Sequence, residues 1–349
     1  VSIFGSSLRR MYRNQSLVLS GSVGLPADMS ATPLSKFEVG WEVYRGGVPD
    51  MSLKSTSVEA TTFRLSAYAL TSPAQYEFRL TALYKESLKS SFASVQVLLL
   101  SSDLVSRISG PSSLGVSMGG SVTLDGSGSF DPDDSGTVLS YRWRCVVLSP
   151  VLQEDCAGVF ALSGDSTSMV RVSAGASLST LIVSQVYLQV SSGGRQSESS
   201  VTVRVLEAGV ASIRVLSYSD RVNVEDKVKV LASVSSPSAA SCQWSSSEAL
   251  GAASYLTDTS VAVPAGNVVS TANLLIRGFS FASRSTTTFT LSCQTTSGQK
   301  QSFASVSVQV NGPPVPGVFT VSPSRGTELS DEFVFLASNW LDVDLPLTY

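Results

Sequence analysis

Four cysteines, Cys145, Cys156, Cys242 and Cys293, are the side chains best suited to covalent or metal chemistry in this 349-residue chain, which contains no histidine. None sits in a CxxC pair. A tetrahedral zinc site would need all four to converge, and their spacing does not suggest it. Two disulfides fit better and imply an oxidising compartment. Without histidine, the Ser–His and Cys–His nucleophile arrangements are excluded. Hydroxyl side chains are plentiful, but no general base stands beside any of them. No Glu/Asp pair is marked out for glycoside chemistry. Gly119-Gly120 and Gly193-Gly194 lack the lysine and helix of a phosphate loop and read as hairpin glycines. The expectation is a chain with no enzymatic activity and no cofactor.

Acidic residues offer a second chemistry. Asp131, Asp133 and Asp134 cluster in one loop, and Asp342 and Asp344 recur at the equivalent place. Calcium wants several such oxygens together. Asp-Pro and Asp-Asp-Ser-Gly are also ordinary turn sequences, and the turn is the preferred reading, with calcium a weak alternative. Asn14-Gln15-Ser16 is an N-glycosylation sequon. Charged residues make up 15% of the chain and the net charge is −3. That balance gives no electrostatic reason to expect nucleic acid or an anionic membrane as partner. No stretch approaches the ~20 apolar residues of a membrane-spanning helix. No basic segment followed by an apolar run opens the chain at Val1-Ser2-Ile3-Phe4-Gly5. It reads as an interior piece of a larger protein whose signal and anchor, if any, lie outside.

The elements that would position these residues emerge from self-comparison. Trp41, Trp143 and Trp244 each lie in an alternating apolar strand, at a period of about 100 residues. Each is preceded by a strand running into small residues: Leu17–Ser22, Val122–Ser127 and Val228–Ser233. Each repeat closes with another alternating strand, on Val95/Val97/Leu99, Val201/Val203/Val205 and Val306/Val308/Val310. Before these lie Tyr76/Phe78/Leu80/Ala82/Tyr84, Val186/Leu188/Val190 and Phe289/Leu291/Cys293. Strict period-two patterning buries one face and wets the other. Amphipathic helical spacing is absent. The fold class expected is all-β: tandem immunoglobulin- or fibronectin-like sandwiches over 1–100, 101–207 and 208–311. A linker at Asn311–Gly317 would open an incomplete fourth repeat over 312–349. In this frame the three tryptophans are core residues rather than a sugar-stacking row.

Two stretches carry a family resemblance. Gly119–Asp133 followed by Leu139-Ser140-Tyr141-Arg142-Trp143 resembles the start of a PKD-type sandwich repeat. It departs from that pattern after the tryptophan strand, where Arg144-Cys145 and then Cys156 are similar to receptor-for-egg-jelly (REJ) modules. Val321–Leu329, Phe333, Phe335 and Asn339–Tyr349 resemble the C-terminal part of the REJ region. The resemblance covers roughly residues 100–349; residues 1–100 join it only by internal repetition. It implies a stalk of sandwiches on a eukaryotic, polycystin-type cell surface, the ciliary or flagellar membrane included. Partners would be extracellular proteins or glycans, a further copy of the chain, or a membrane channel. Receptor-like binding, adhesion or force transmission is the leading expectation. A structural spacer and a non-catalytic module of a secreted enzyme are the alternatives.

Strand placement suggests how the cysteines pair. Cys145 and Cys156 lie on the tryptophan strand and in the loop after it, so a local disulfide is expected. Cys242 and Cys293 lie on strands that would be sheet neighbours, giving a cross-strand or inter-sheet bridge. The alternative is free buried thiols.

Overall fold

The computed structural model describes residues 1–24, 34–180, 182–296, 298, 300–322, 324–328, 333–338, 340 and 342. These residues form β-strands joined by turns, with two short 3-10 turns at Leu34–Lys36 and Ala252–Ser254. Two compact units result. One comprises Val1–Ser102, Asp131–Ser135 and Pro314–Tyr349; the other comprises Asp103–Phe130 and Gly136–Pro313.

The first unit contains β1 (Ser2–Ile3), β2 (Leu8–Tyr12), β3 (Leu17–Ser22), β4 (Phe37–Arg45), β5 (Val48–Pro49), β6 (Thr62–Leu65), β7 (Ala74–Tyr84) and β8 (Lys89–Leu100). A five-stranded sheet of order β2-β8-β7-β4-β5 faces a three-stranded sheet of order β1-β3-β6. Leu17, Leu19, Phe63 and Leu65 of the smaller sheet share one core with Tyr76, Phe78, Val95, Val97 and Leu99 of the larger. The alternation read from the sequence is what buries one side of each strand.

The second unit contains β9 (Ser113–Ser117), β10 (Ser121–Asp125), β11 (Ser140–Ser149), β12 (Phe160–Ser163), β13 (Met169–Ala174), β14 (Val183–Ser192) and β15 (Arg195–Leu206). It continues through β16 (Ser212–Tyr218), β17 (Arg221–Val222), β18 (Val228–Ser235), β19 (Ala240–Ser246), β20 (Ser260–Val263), β21 (Ser270–Thr271), β22 (Leu274–Ile276), β23 (Thr286–Thr295) and β24 (Gln301–Val310). Two hydrophobic cores form, one around Trp143, Val186 and Leu188 and one around Trp244, Phe289 and Leu291. A single nine-stranded sheet, β11-β14-β15-β9-β24-β23-β19-β20 with β17 also on β24, backs both. β9 joins the halves, running parallel to β15 and antiparallel to β24. The Pro314–Tyr349 segment of the first unit holds a further antiparallel hairpin, β25 (Val318–Ser322) with β26 (Val334–Ser338).

The sequence repeat reappears as one cross-strand row. Trp41 faces Leu80, which faces Ala93; Trp143 faces Leu188, which faces Ser199; Trp244 faces Leu291, which faces Ala304. In the second of these, a Cβ on Gly126 would fall 2.4 Å from a Leu188 methyl and press on the Trp143 ring at 3.1 Å. The residue type follows from that approach.

Candidate interaction surface

The cysteines form two disulfides. Cys145 and Cys156 have Cα atoms 5.5 Å apart and tie the β11 strand to the loop that follows it. Cys242 and Cys293 sit directly opposite each other on β19 and β23, with Cα atoms 4.0 Å apart. That bridge is therefore cross-strand within one sheet. Both half-cystines are essentially inaccessible, lining the same core as Trp244.

The tryptophans divide. Trp143 and Trp244 are buried, and their indole Nε1–H groups donate to the carbonyls of Thr167 (2.8 Å) and Ala272 (3.2 Å). Trp41 is only partly buried at the margin of its core, 5.6 Å from the Phe63 ring, and its Nε1 has no hydrogen-bond partner among the described residues. The difference, among the described residues, is a backbone carbonyl acceptor present in two repeats and not in the first.

Asp131–Ser135 packs with the first unit, where its carboxylates serve as anchors. Asp133 is buried and accepts from both the backbone N–H and the hydroxyl of Ser102, each at 2.7 Å. Asp131 accepts the N–H of Asp133 (3.0 Å), the Asx-turn pattern. Arg13 donates to the Asp133 carbonyl (2.8 Å) and the Tyr68 hydroxyl to the Pro132 carbonyl (3.1 Å). Asp134 is exposed and Asp342 partly buried. Asp344 lies outside the described residues. Among the described residues no group of three or more acidic, cysteine or histidine side chains is placed to hold a metal ion. Asn14 stands in the turn between β2 and β3, its side-chain oxygen covered and without a partner among the described residues.

The outer face of the five-stranded sheet carries a constellation that sequence reading missed. The Arg79 guanidinium lies between two rings, 4.7 Å from the centroid of Tyr44 and 4.6 Å from that of Phe92. Glu77 pairs with Arg79 at 3.2 Å, and the Tyr44 hydroxyl donates to Glu42 at 2.9 Å. These contacts raise the Arg79 pKa, chiefly through the Glu77 hydrogen bond, and raise that of Tyr44, chiefly through the Glu42 hydrogen bond. At the far end of the same sheet Tyr84 and Lys36 both donate to Glu86, whose pKa is lowered first by Tyr84 and then by Lys36. The stack holds Phe92 in place although its side chain is 58% exposed. Its only signal in the sequence is an aromatic residue at an outward position of a period-two strand.

An REJ domain match covers residues 30–349. The chain belongs to the REJ domain family. This REJ chain is an extracellular, non-catalytic β-sandwich module with PKD-like character. No curated protein matches it in sequence. Among solved structures, extracellular domains 3–5 of Drosophila OTK share 8% identity over 89% of this chain and 95% of that one, with a TM-score of 0.27. Drosophila N-cadherin EC1-4 shares 11% over 88% and 74%, with a TM-score of 0.33. The N-terminal four Ig domains of Dscam1 isoform 6.44 share 10% over 88% and 72%, with a TM-score of 0.23. Among the described residues no helix is long and apolar enough to cross a membrane.

Proposed function

We propose that this REJ module is the extracellular scaffold of a polycystin-like cell-surface protein and binds neighbouring proteins or glycans in adhesion or force transmission. The observation that carries the reading is the REJ match over residues 30–349. Disulfide-tied sandwiches suit a force-bearing role outside the cell, because each bridge limits how far its repeat can extend. Within this reading the repeats run over 1–100, 101–207 and 208–311, with a further one from 312, and the protein resides at the cell surface, the ciliary membrane included. A spacer role is favoured by one feature, the sheet that continues from one core of the second unit to the next. Adhesion frequency separates the two. Beads bearing the chain should adhere to cell surfaces more often than beads bearing an unrelated sandwich array of equal length. Equal frequencies on every surface tried would leave the spacer.

A further inference from the structure

One pentapeptide occurs twice: Ser91-Phe92-Ala93-Ser94-Val95 in β8 and Ser302-Phe303-Ala304-Ser305-Val306 in β24. The two copies occupy the same structural position. Val95 faces Phe78 and Ala93 faces Leu80; Val306 faces Phe289 and Ala304 faces Leu291. In β24 the outer edge of this segment is occupied. β9 lies along it antiparallel, pairing Leu114 with Ala304 and Ser113 with Ser305, and the Ser112 N–H donates to the Ser305 carbonyl at 2.7 Å. The Arg204 guanidinium sits 5.4 Å from the centre of the Phe303 ring.

In β8 no strand hydrogen-bonds along the corresponding edge among the described residues, although β1 passes close to β8. β2 pairs with β8 only from Gln96 onward. The Gln96 N–H points to this side, where it donates to the Ser7 carbonyl at 2.8 Å. Period two therefore puts the N–H and C=O of Ser94 on the same, unpaired side. Burial records the difference. Ala304 and Ser305 are 2% and 8% exposed, whereas Ala93 is half-buried, Ser94 exposed and Phe92 58% exposed. The middle repeat has Glu198 where the others have phenylalanine, paired with Arg144 at 3.0 Å. A charge beside an edge is a common guard against strand addition.

We propose that the Phe92–Ser94 edge of β8 is an acceptor for an extended segment of a partner protein, of the β9 type: small and hydroxyl residues around one aliphatic side chain, running antiparallel to β8. The main chain of Ser94 supplies the hydrogen bonds. Ala93, like Ala304 opposite Leu114, is the small residue that would face the aliphatic side chain. Phe92, already stacked on Arg79, supplies an ordered aromatic wall, so little side-chain freedom is lost on binding. The inference deepens the binding role proposed above, resting on that role only for its biological use. The experiment reads the edge alone, so its failure leaves the role standing.

The probe is the peptide Ser-Gly-Pro-Ser-Ser-Leu-Gly-Val-Ser, the chain's own residues 109–117. It is titrated into the full chain, with hydrogen exchange of residues 89–96 as the readout. Saturable binding below about 1 mM, with slowed exchange in that segment, is expected. F92E installs the residue of the middle repeat, and S94P removes an edge N–H without touching the bonds to β7. Each should weaken binding at least about tenfold, equal to 1.4 kcal/mol, with unchanged circular dichroism. No saturation by about 1 mM overturns the proposal, and so does equal binding to the wild type and both variants. A wild-type dimer abolished by F92E, without peptide binding, overturns it in favour of a second copy as the occupant.

Discussion

Removing the Cys242–Cys293 bridge in the variant C242A/C293A should be the most costly change available at the cysteines. The bridge closes a 51-residue separation, and the loop-closure relation gives about 4 kcal/mol at 25 °C. The Cys145–Cys156 bridge spans 11 residues, for which the same relation gives about 2.8 kcal/mol. Both pairs line cores, so truncation adds a small cavity term to each. Urea unfolding followed by tryptophan fluorescence is the assay, because Trp143 and Trp244 each lie two residues from a half-cystine. With a slope of about 2 kcal/mol per M, the midpoint of the Trp244 transition should fall by about 2 M in C242A/C293A. In C145A/C156A the Trp143 transition should fall by about 1.4 M. The reasoning is refuted if the order reverses, or if neither pair costs more than about 1 kcal/mol.

Trp244→Ala should cost about 3–5 kcal/mol in urea unfolding, and Trp41→Ala clearly less, because Trp41 is only partly buried and its indole N–H has no acceptor among the described residues. Gly278→Ala should lower Tm sharply, since a Cβ there runs into the Glu225 carbonyl; an unchanged Tm would show that the turn yields. Tyr218→Phe removes the hydrogen bond from its hydroxyl to the Gly110 carbonyl (3.0 Å) and should cost about 1 kcal/mol. Burial, then the nearby Asp220, raises the Tyr218 pKa. Its contribution is therefore complete below the ordinary tyrosine value of about 10 and is lost as pH rises through the folded-state value. Melting curves at pH 8 and pH 11 should show a smaller alkaline loss for the phenylalanine variant than for the wild type.

The all-β class and the periodic cores are local properties of the chain. Alternation along Val186, Leu188 and Val190, or Phe289, Leu291 and Cys293, determines which side of a strand is buried whatever its neighbours are, because successive side chains leave a strand on opposite faces. The tryptophan row was legible for the same reason, as was the nearness of Cys242 to Cys293. Edge pairing was not legible. Whether that bridge crosses a strand pair or two sheets depends on register, and register is set by contacts far apart in sequence. The binding of Asp133 to Ser102 depends likewise on where a loop lands, and its turn chemistry is silent on that point. The sharpest case is the repeated pentapeptide. Ser91–Val95 and Ser302–Val306 are identical, so nothing within the pentapeptide distinguishes them. Only the tertiary structure brings β9 against one and not, among the described residues, against the other. Backbone edges hydrogen-bond to any strand that reaches them, and which strand arrives is decided by the path of the whole chain.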